Sequence, residues 1–220
     1  MQGRHASAPP QICPFCNKLK ALLDVHRVPY DVTEVNPLTK SEIKSWSGGY
    51  KKVPIAVIAG EQVNDSPVIC NEILDRMVKS GQLNAKQLAA FRSPEAVEWT
   101  KWSDSKLAVL AFPNMTRTLG DSAEAFGYVH AVPHFSQLDK MANLAIGSFF
   151  MWMANGKIKK KYNIQDERAE FVSGINKWLT EAVGSQPFAG GEQPNLADCA
   201  VFGLLKAIDR TGAYRDVSKG

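Results

Sequence analysis

Two cysteines three residues apart, in Cys13-Pro14-Phe15-Cys16, are the residues of this chain whose types and spacing point most directly to chemistry. They head an amphipathic run in which Leu19, Leu22, Leu23 and His26 recur at helical spacing, so Pro14 falls in the first turn of a helix. A Cys13 sulfur in that position meets free backbone N–H groups and the positive end of a helix dipole. Both favour thiolate over thiol, and the thiolate is the nucleophile. Cys16, one turn on, is close enough to close a disulfide with Cys13 or to resolve a mixed one. Half a zinc site is a competing reading, but no second Cys-x-x-Cys or Cys/His pair follows at ligand spacing, so no metal site is expected. An inert pair is the blandest reading of the same residues.

The elements that must position these sulfurs can be read along the chain. Val28-Pro29 turns it into residues 30–35, whose alternation predicts a half-buried strand. Thr39 and Glu42 have the spacing of a capping box for a short helix over residues 40–46. Lys52-Val53-Pro54 leads into a buried strand, residues 55–59, which turns at Gly60-Glu61 into a brief partner, Gln62-Val63. Asp65 is expected to cap the next helix, with Pro67 in its first turn, Val68, Ile69, Ile73 and Met77 as its buried stripe and Gly81 as its stop. Residues 6–12, ahead of the cysteines, read as tail, so a first strand is missing from this expectation.

Residues 82–92 read as a connector, and beyond it only helices are expected. Ser93-Pro94-Glu95 opens one that carries Trp99, Trp102 and Leu110 and stops at Pro113. Asp121 and Glu124 cap another, which ends near Pro133. Residues 135–155 make a long helix with Leu138, Met141, Ala145, Phe149 and Trp152 on one face, closed by Gly156. Phe171, Val172, Ile175, Trp178, Leu179 and Ala182 form the clearest stripe. Pro194-Asn195-Leu196-Ala197-Asp198 then caps a nearly all-apolar helix over residues 199–208, which belongs in the middle of a domain. The expected organisation is an α/β unit over residues 1–81, a linker over 82–92 and an all-helical unit over 93–220.

Bulk properties narrow the class. A chain of 220 residues with 45% hydrophobic and 22% charged residues is an ordinary globular protein. Its net charge of +4 is concentrated in Lys157-Ile158-Lys159-Lys160-Lys161, read as a solvated helix end or loop. Without interleaved aromatics that run gives no nucleic-acid surface. Four cysteines in a chain this long are no secreted disulfide framework, which points to a reducing, cytoplasmic compartment. Residues 1–11 lack the apolar core of a signal peptide, and the most apolar stretch, residues 141–154, is shorter than the roughly 20 residues that span a bilayer. Cys70 and Cys199 read as small core residues. His26 reads as satisfying helix-end carbonyls, and Pro133 breaks the spacing of His130 and His134.

Together these pieces resemble the thioredoxin superfamily in its glutathione-transferase-like two-domain form: an α/β thioredoxin/glutaredoxin-like domain followed by an all-α domain. Val53-Pro54 resembles that fold's cis-proline, whose preceding backbone pairs with the glutathione peptide. Asp65-Ser66 resembles the pair that holds the γ-glutamyl end, and a helix N-terminus with a hydroxyl donor suits a carboxylate. Cys13-Pro14-Phe15-Cys16, Lys52-Val53-Pro54-Ile55, Asn64-Asp65-Ser66 and residues 194–198 resemble, over nearly the whole chain, the membrane-associated prostaglandin E synthase 2 family.

That resemblance implies Cys13 as the catalytic thiol with Cys16 beside it, and a glutathione site of Phe15, Lys52, Val53, Pro54, Asp65 and Ser66. It also implies haem in the same cleft and isomerisation of prostaglandin H2, a lipid endoperoxide, to prostaglandin E2. Peripheral membrane association and a homodimer stay open. Two functions of other kinds compete. A glutaredoxin-like thiol–disulfide oxidoreductase needs nothing beyond the Cys-x-x-Cys; a transferase-like scaffold binding haem or glutathione would be non-catalytic. The chain departs from the family at Pro10, where the family has a tyrosine three residues before its first cysteine. It departs again at Val109 and Leu110, in the neighbourhood where the family has a histidine before its Pro-Asn turn, here Pro113-Asn114.

Overall fold

Helix α1 (Pro14–Val25) begins at Cys13, which is extended (φ −90°, ψ 108°) in the N-cap position, and Pro14 brings the φ of a first helical turn. The computed structural model describes residues 12–218. Leu19, Leu22 and Leu23 bury one face of α1 against Ile69, Ile73, Leu74 and Met77. Those residues lie on α3 (Ser66–Lys79); between the two helices come α2 (Ser41–Lys44) and a two-stranded sheet of β1 (Ile55–Ile58) and β2 (Glu61–Asn64). The strands run antiparallel, Ile55 opposite Asn64 and Ile58 opposite Glu61. Ala59 and Gly60 join them with φ of 52° and 87°, the paired positive values of a tight hairpin turn. This mixed α/β part is glutaredoxin-like, and the described residues after it are mostly helical.

The helical part comprises α4 (Ala85–Phe91), α5 (Pro94–Trp102), α6 (Ala108–Met115), α7 (Leu119–Phe126), α8 (Gln137–Ala142), α9 (Ser148–Tyr162), α10 (Glu167–Lys177), α11 (Leu196–Ile208) and α12 (Gly212–Val217). Five-residue π-helical turns, Ser103–Leu107 and Asn143–Gly147, carry α5 into α6 and α8 into α9. Helix α11 is the axle. Asn195 caps it by accepting from the Ala197 and Asp198 N–H groups, while Asp198 returns a bond to Asn195 N. Ala197, Val201, Leu204 and Ile208 then pack against Leu107, Phe171 and Trp178. The other side of α11 lies against α1, where Gly203 leaves room for the Pro14 and Lys18 backbone and its carbonyl accepts from Asn17 Nδ2 at 3.3 Å. Among the described residues no helix is long and apolar enough to cross a membrane.

Several local expectations are corrected. Residues 30–35 form no strand, because no strand lies beside them among the described residues to complete a ladder. The end of the stretch is held by the helical part instead: the Glu34 carbonyl meets His134 Nε2 at 2.8 Å, and Asn36 Nδ2, just beyond it, donates to Asp139 at 2.9 Å. The absent first strand expected over residues 6–12 lies, up to residue 11, outside the described residues. The Thr39–Glu42 capping box does not form, because Lys40 takes the N-cap place with φ 54° and Glu42 accepts from Asn36 N at 2.8 Å. Asp65 occupies the N-cap place of α3 but makes no capping bond; at φ 67° its carboxylate instead accepts from Tyr50 Oη at 2.7 Å. Val68 is exposed rather than part of the stripe.

Further along, the stretch read as a connector carries α4, started by a capping box of Asn84 and Gln87. Pro113 does not stop its helix, which continues to Met115; Asn114 Nδ2 holds the Leu110 carbonyl and Thr116 Oγ1 that of Phe112. Gly156 likewise lies inside α9. Leu138, Met141, Phe149 and Trp152 do share a side of α8–α9, but that side faces solvent. The fully buried positions there are polar or small: Asn143 donates to Asn36 at 3.0 Å, Asn155 to Pro113 at 3.0 Å, and Gly147 abuts the Phe126 ring. His26 does meet an end carbonyl of α1, through its backbone N–H to Leu22 O at 3.2 Å, while its ring packs edge-on to Phe91 at 4.6 Å.

Candidate functional site

The start of α1 sets the geometry of the two sulfurs. Cys13 Sγ accepts from the Cys16 N–H at 3.4 Å, so the thiol is itself the side-chain cap of the helix. It also lies 4.0 Å from the Val53 carbonyl oxygen, its acceptor while protonated. The Val53–Pro54 peptide is cis. Cys13 is half-buried and Cys16 is buried. The Cys16 thiol, hydrogen-bonded to the Cys13 sulfur, is the largest influence holding Cys13 below the ordinary thiol range; the N–H groups of Cys16 and Phe15 add to it against the penalty of burial. The same bond acts oppositely on Cys16, which is pushed well up by its hydrogen bond to Cys13, by burial and by the neighbouring charge. The two sulfurs are thus shifted in opposite directions, Cys13 towards the thiolate and Cys16 towards the thiol.

Both open into a cleft of about 1140 Å³ between the α/β part and the helical part. Phe15, Val53 and Pro54 line the near wall, and Phe112, Met115, Tyr128 and Met151 the far wall. Charged groups stand at defined places on this otherwise apolar surface. Lys40 is pushed down by burial while the charges of Cys13 and Cys16 pull it back up. The Tyr128 hydroxyl is pushed up by burial first, then by Glu34 and the two cysteines. Lys20 and Glu34 pair at 3.6 Å on the same lining.

Of the sequence-predicted residues, Cys13, Cys16, Phe15, Val53 and Pro54 come together on this cleft. Lys52, Asp65 and Ser66 do not line it: Lys52 is exposed, Ser66 is buried at the start of α3, and the Asp65 carboxylate is engaged by Tyr50. Sequence reasoning missed Lys20, Glu34, Lys40 and Tyr128. Lys20 carried a usable signal, since it stands four residues after Cys16 and so on the same helical face. The other three reach the cleft only through tertiary folding.

Residues 11–63 match the glutaredoxin family. The whole chain is similar to prostaglandin E synthase 2 of Danio rerio, at 31% identity over 93% of the chain, and to that of Mus musculus, at 30% over 94%. It spans 64% of the length of either relative. Its first part is also similar to glutaredoxin 1 of Rickettsia conorii, at 37% identity over 33% of the chain.

Proposed function

From this family-level match to prostaglandin E synthase 2, within the glutathione-transferase-like thioredoxin superfamily, we propose that the chain is a glutathione-dependent prostaglandin E synthase-like isomerase with Cys13 as its catalytic thiol. The observation that carries this reading is the Cys13 sulfur capping α1 at 3.4 Å from the Cys16 N–H, at the mouth of a largely apolar cleft. A thiol shifted towards its thiolate there faces a volume suited to an extended lipid endoperoxide. Attack on one endoperoxide oxygen breaks the O–O bond, forms an S–O bond and leaves an alkoxide. Loss of the proton from the adjoining carbon then makes the carbonyl and returns the thiolate, while the alkoxide takes up a proton. Reactant and product are isomers, so no outside oxidant or reductant enters.

Glutathione, when bound, would supply a second thiol at this cleft that gives its proton to the alkoxide and takes up the proton lost from carbon, which makes the rate depend on it. Phe15 and the Val53–Pro54 backbone are placed to meet its peptide, whereas Asp65 is already committed to Tyr50. Haem would find the two sulfurs but no imidazole on the described lining, and the steps above do not need it. On this reading the catalytic step belongs to the α/β part, while Phe112, Met115, Tyr128 and Met151 of the helical part stand on the far side of the cleft.

The glutaredoxin match over residues 11–63 and the opposed shifts of Cys13 and Cys16 favour a second reading, thiol–disulfide exchange at the same pair. The deciding assay compares conversion of prostaglandin H2 and reduction of a mixed disulfide, each with and without glutathione, in wild type, Cys13→Ser and Cys16→Ser. The isomerase reading expects Cys13→Ser at background and Cys16→Ser largely active on the endoperoxide. Endoperoxide conversion that survives Cys13→Ser, or ignores glutathione, sinks it.

A further inference from the structure

Seven of the nineteen large apolar side chains exposed among the described residues fall within residues 138–153, along α8 and the first part of α9. Leu138 is 78% exposed, Met141 65% and Phe150 59%, and Phe149, Trp152 and Met153 are open to solvent beside them. Exposed apolar residues scattered singly are ordinary, whereas a run of them marks a place of contact. The helix period gathers the α9 members. At about 100° per residue, Phe149, Phe150, Trp152 and Met153 share one half of α9 with Lys157, Lys160 and Lys161. Met151, Ile158 and Tyr162 fall on the other half, which lines the cleft. A second cavity, of about 510 Å³, opens on the exposed side, with Leu119, Leu144, Ile146 and Phe149 on its wall.

What covers this face must also suit its charge. Residues 140–165 hold five lysines and no acidic residue, more positive charge than the net +4 of the whole chain. Lys159 is taken by Glu167, but Lys157, Lys160 and Lys161 are exposed and form no ion pair among the described residues. A second copy packed face to face would bring like charges and no carboxylate. An anionic bilayer meets both parts of the pattern. Apolar side chains enter its headgroup boundary, Trp is favoured at that depth, and lysines near the lipid phosphates add attraction.

We propose that the exposed half of α8–α9 docks on an anionic lipid bilayer. Phe149, Phe150, Trp152 and Met153 sit in the headgroup boundary, and Lys157, Lys160 and Lys161 meet lipid phosphates. The docking is inferred independently of the cleft chemistry. Where the endoperoxide reading holds, docking gives that lipid a short route, because the opposite half of the same helix is cleft wall.

The test is flotation of the full chain with two sets of vesicles, one of phosphatidylcholine alone and one that also contains phosphatidylserine. Binding is expected to the second set only, and it should weaken as salt rises and screens exposed charge. Lys157→Gln, Lys160→Gln and Lys161→Gln together should weaken it about 10-fold or more. Phe149→Ser with Phe150→Ser should weaken it too; if that pair does not fold, the lysine variant decides alone. Thermal unfolding of the lysine variant should match wild type, so lost binding is not lost fold. Lipid brominated in its acyl chains should quench tryptophan fluorescence in wild type and much less in Trp152→Phe, which puts α9 itself at the bilayer. Vesicle binding that is absent, or that survives both sets of substitutions, overturns the proposal. So does a dimer that Phe149→Ser with Phe150→Ser takes apart in sedimentation, since the face then belongs to a second copy. No outcome turns on conversion at Cys13, so failure of docking and failure of the isomerase reading are told apart.

Discussion

Gly203 of α11 lies so close to Lys18 of α1 that a Cβ on the glycine would come within 2.8 Å of the Lys18 Cα and of the Pro14 carbonyl oxygen. Backbone, not a flexible side-chain end, occupies the space, so α1 and α11 could accommodate a methyl group only by moving apart. Gly203→Ala is therefore expected to destabilise the fold by about 1–3 kcal/mol, the range for overpacking a filled interior. Because Cys13 and Cys16 ride on α1, cleft activity should fall with it. Denaturant unfolding reads the first effect; a variant as stable as wild type would show that the contact is not held.

Lys18 also joins the two parts by charge. Its Nζ lies 2.5 Å from Asp104 Oδ2, and its side chain is 2% exposed against 24% for the aspartate. Lys18→Met leaves Asp104 without its cation and should lower stability by up to about 3–5 kcal/mol, the range for breaking a buried pair from one side. Lys18→Met with Asp104→Leu should recover much of that loss. If the double variant is no more stable than the single one, charge imbalance is not the cause.

The cysteine pair gives a sharper expectation than helix position alone. The leading influence on Cys13 is the hydrogen bond from the Cys16 thiol, which a hydroxyl can imitate and a methyl cannot. Alkylation of Cys13 should thus reach its plateau at similar pH in Cys16→Ser and wild type, and at higher pH in Cys16→Ala. Equal profiles for the serine and alanine variants would assign the effect to the helix start alone.

Cys70 and Cys199, buried in α3 and α11, make the fold sensitive to alkali. Burial pushes them up to about 11 and about 12, from an ordinary 9.0. The native thiols thus keep protons that the unfolded chain gives up, so stability is intact below pH 9 and is lost as pH rises through the native values. The slope is about 1.4 kcal/mol per pH unit for each thiol between those limits. Unfolding measured from pH 8 to 10.5 should show a shallower decline in Cys199→Ala; parallel curves would place the loss elsewhere.

What the sequence made legible was local. Pro14 after Cys13, the hairpin turn (read at Gly60-Glu61 and formed one residue earlier, at Ala59–Gly60) and the Asn195–Asp198 cap each act within a few residues. Residues 30–35 failed for the opposite reason: an alternating pattern forms a strand only if a neighbour pairs with it, and such pairing is not a local property. The side of α8–α9 turned inward was also hidden. The π-helical turn Asn143–Gly147 shifts the helical period partway along, and Asn143 and Asn155 are drawn inward by partners more than thirty residues away. At the site, Cys13, Phe15 and Val53 could be read from motifs. Glu34 and Tyr128 could not, since their meaning comes from which wall they share.

The double use of the Cys13 sulfur, as reactive atom and as acceptor for the Cys16 N–H, has a reciprocal consequence. Whatever the helix start contributes to the thiolate, the thiolate returns to the helix start, so each chemical state of this sulfur sets how firmly the first turn is wound. An adduct that ties up the sulfur removes the acceptor, and the turn carrying Phe15 and Cys16 loosens while the adduct lasts. Regenerating the free sulfur rewinds it. Amide exchange at Cys16 should then be slow in the resting chain, fast with Cys13 alkylated, and slow again once a reversible adduct is released, so that the progress of the chemistry can be followed as the fraying and healing of one helical turn.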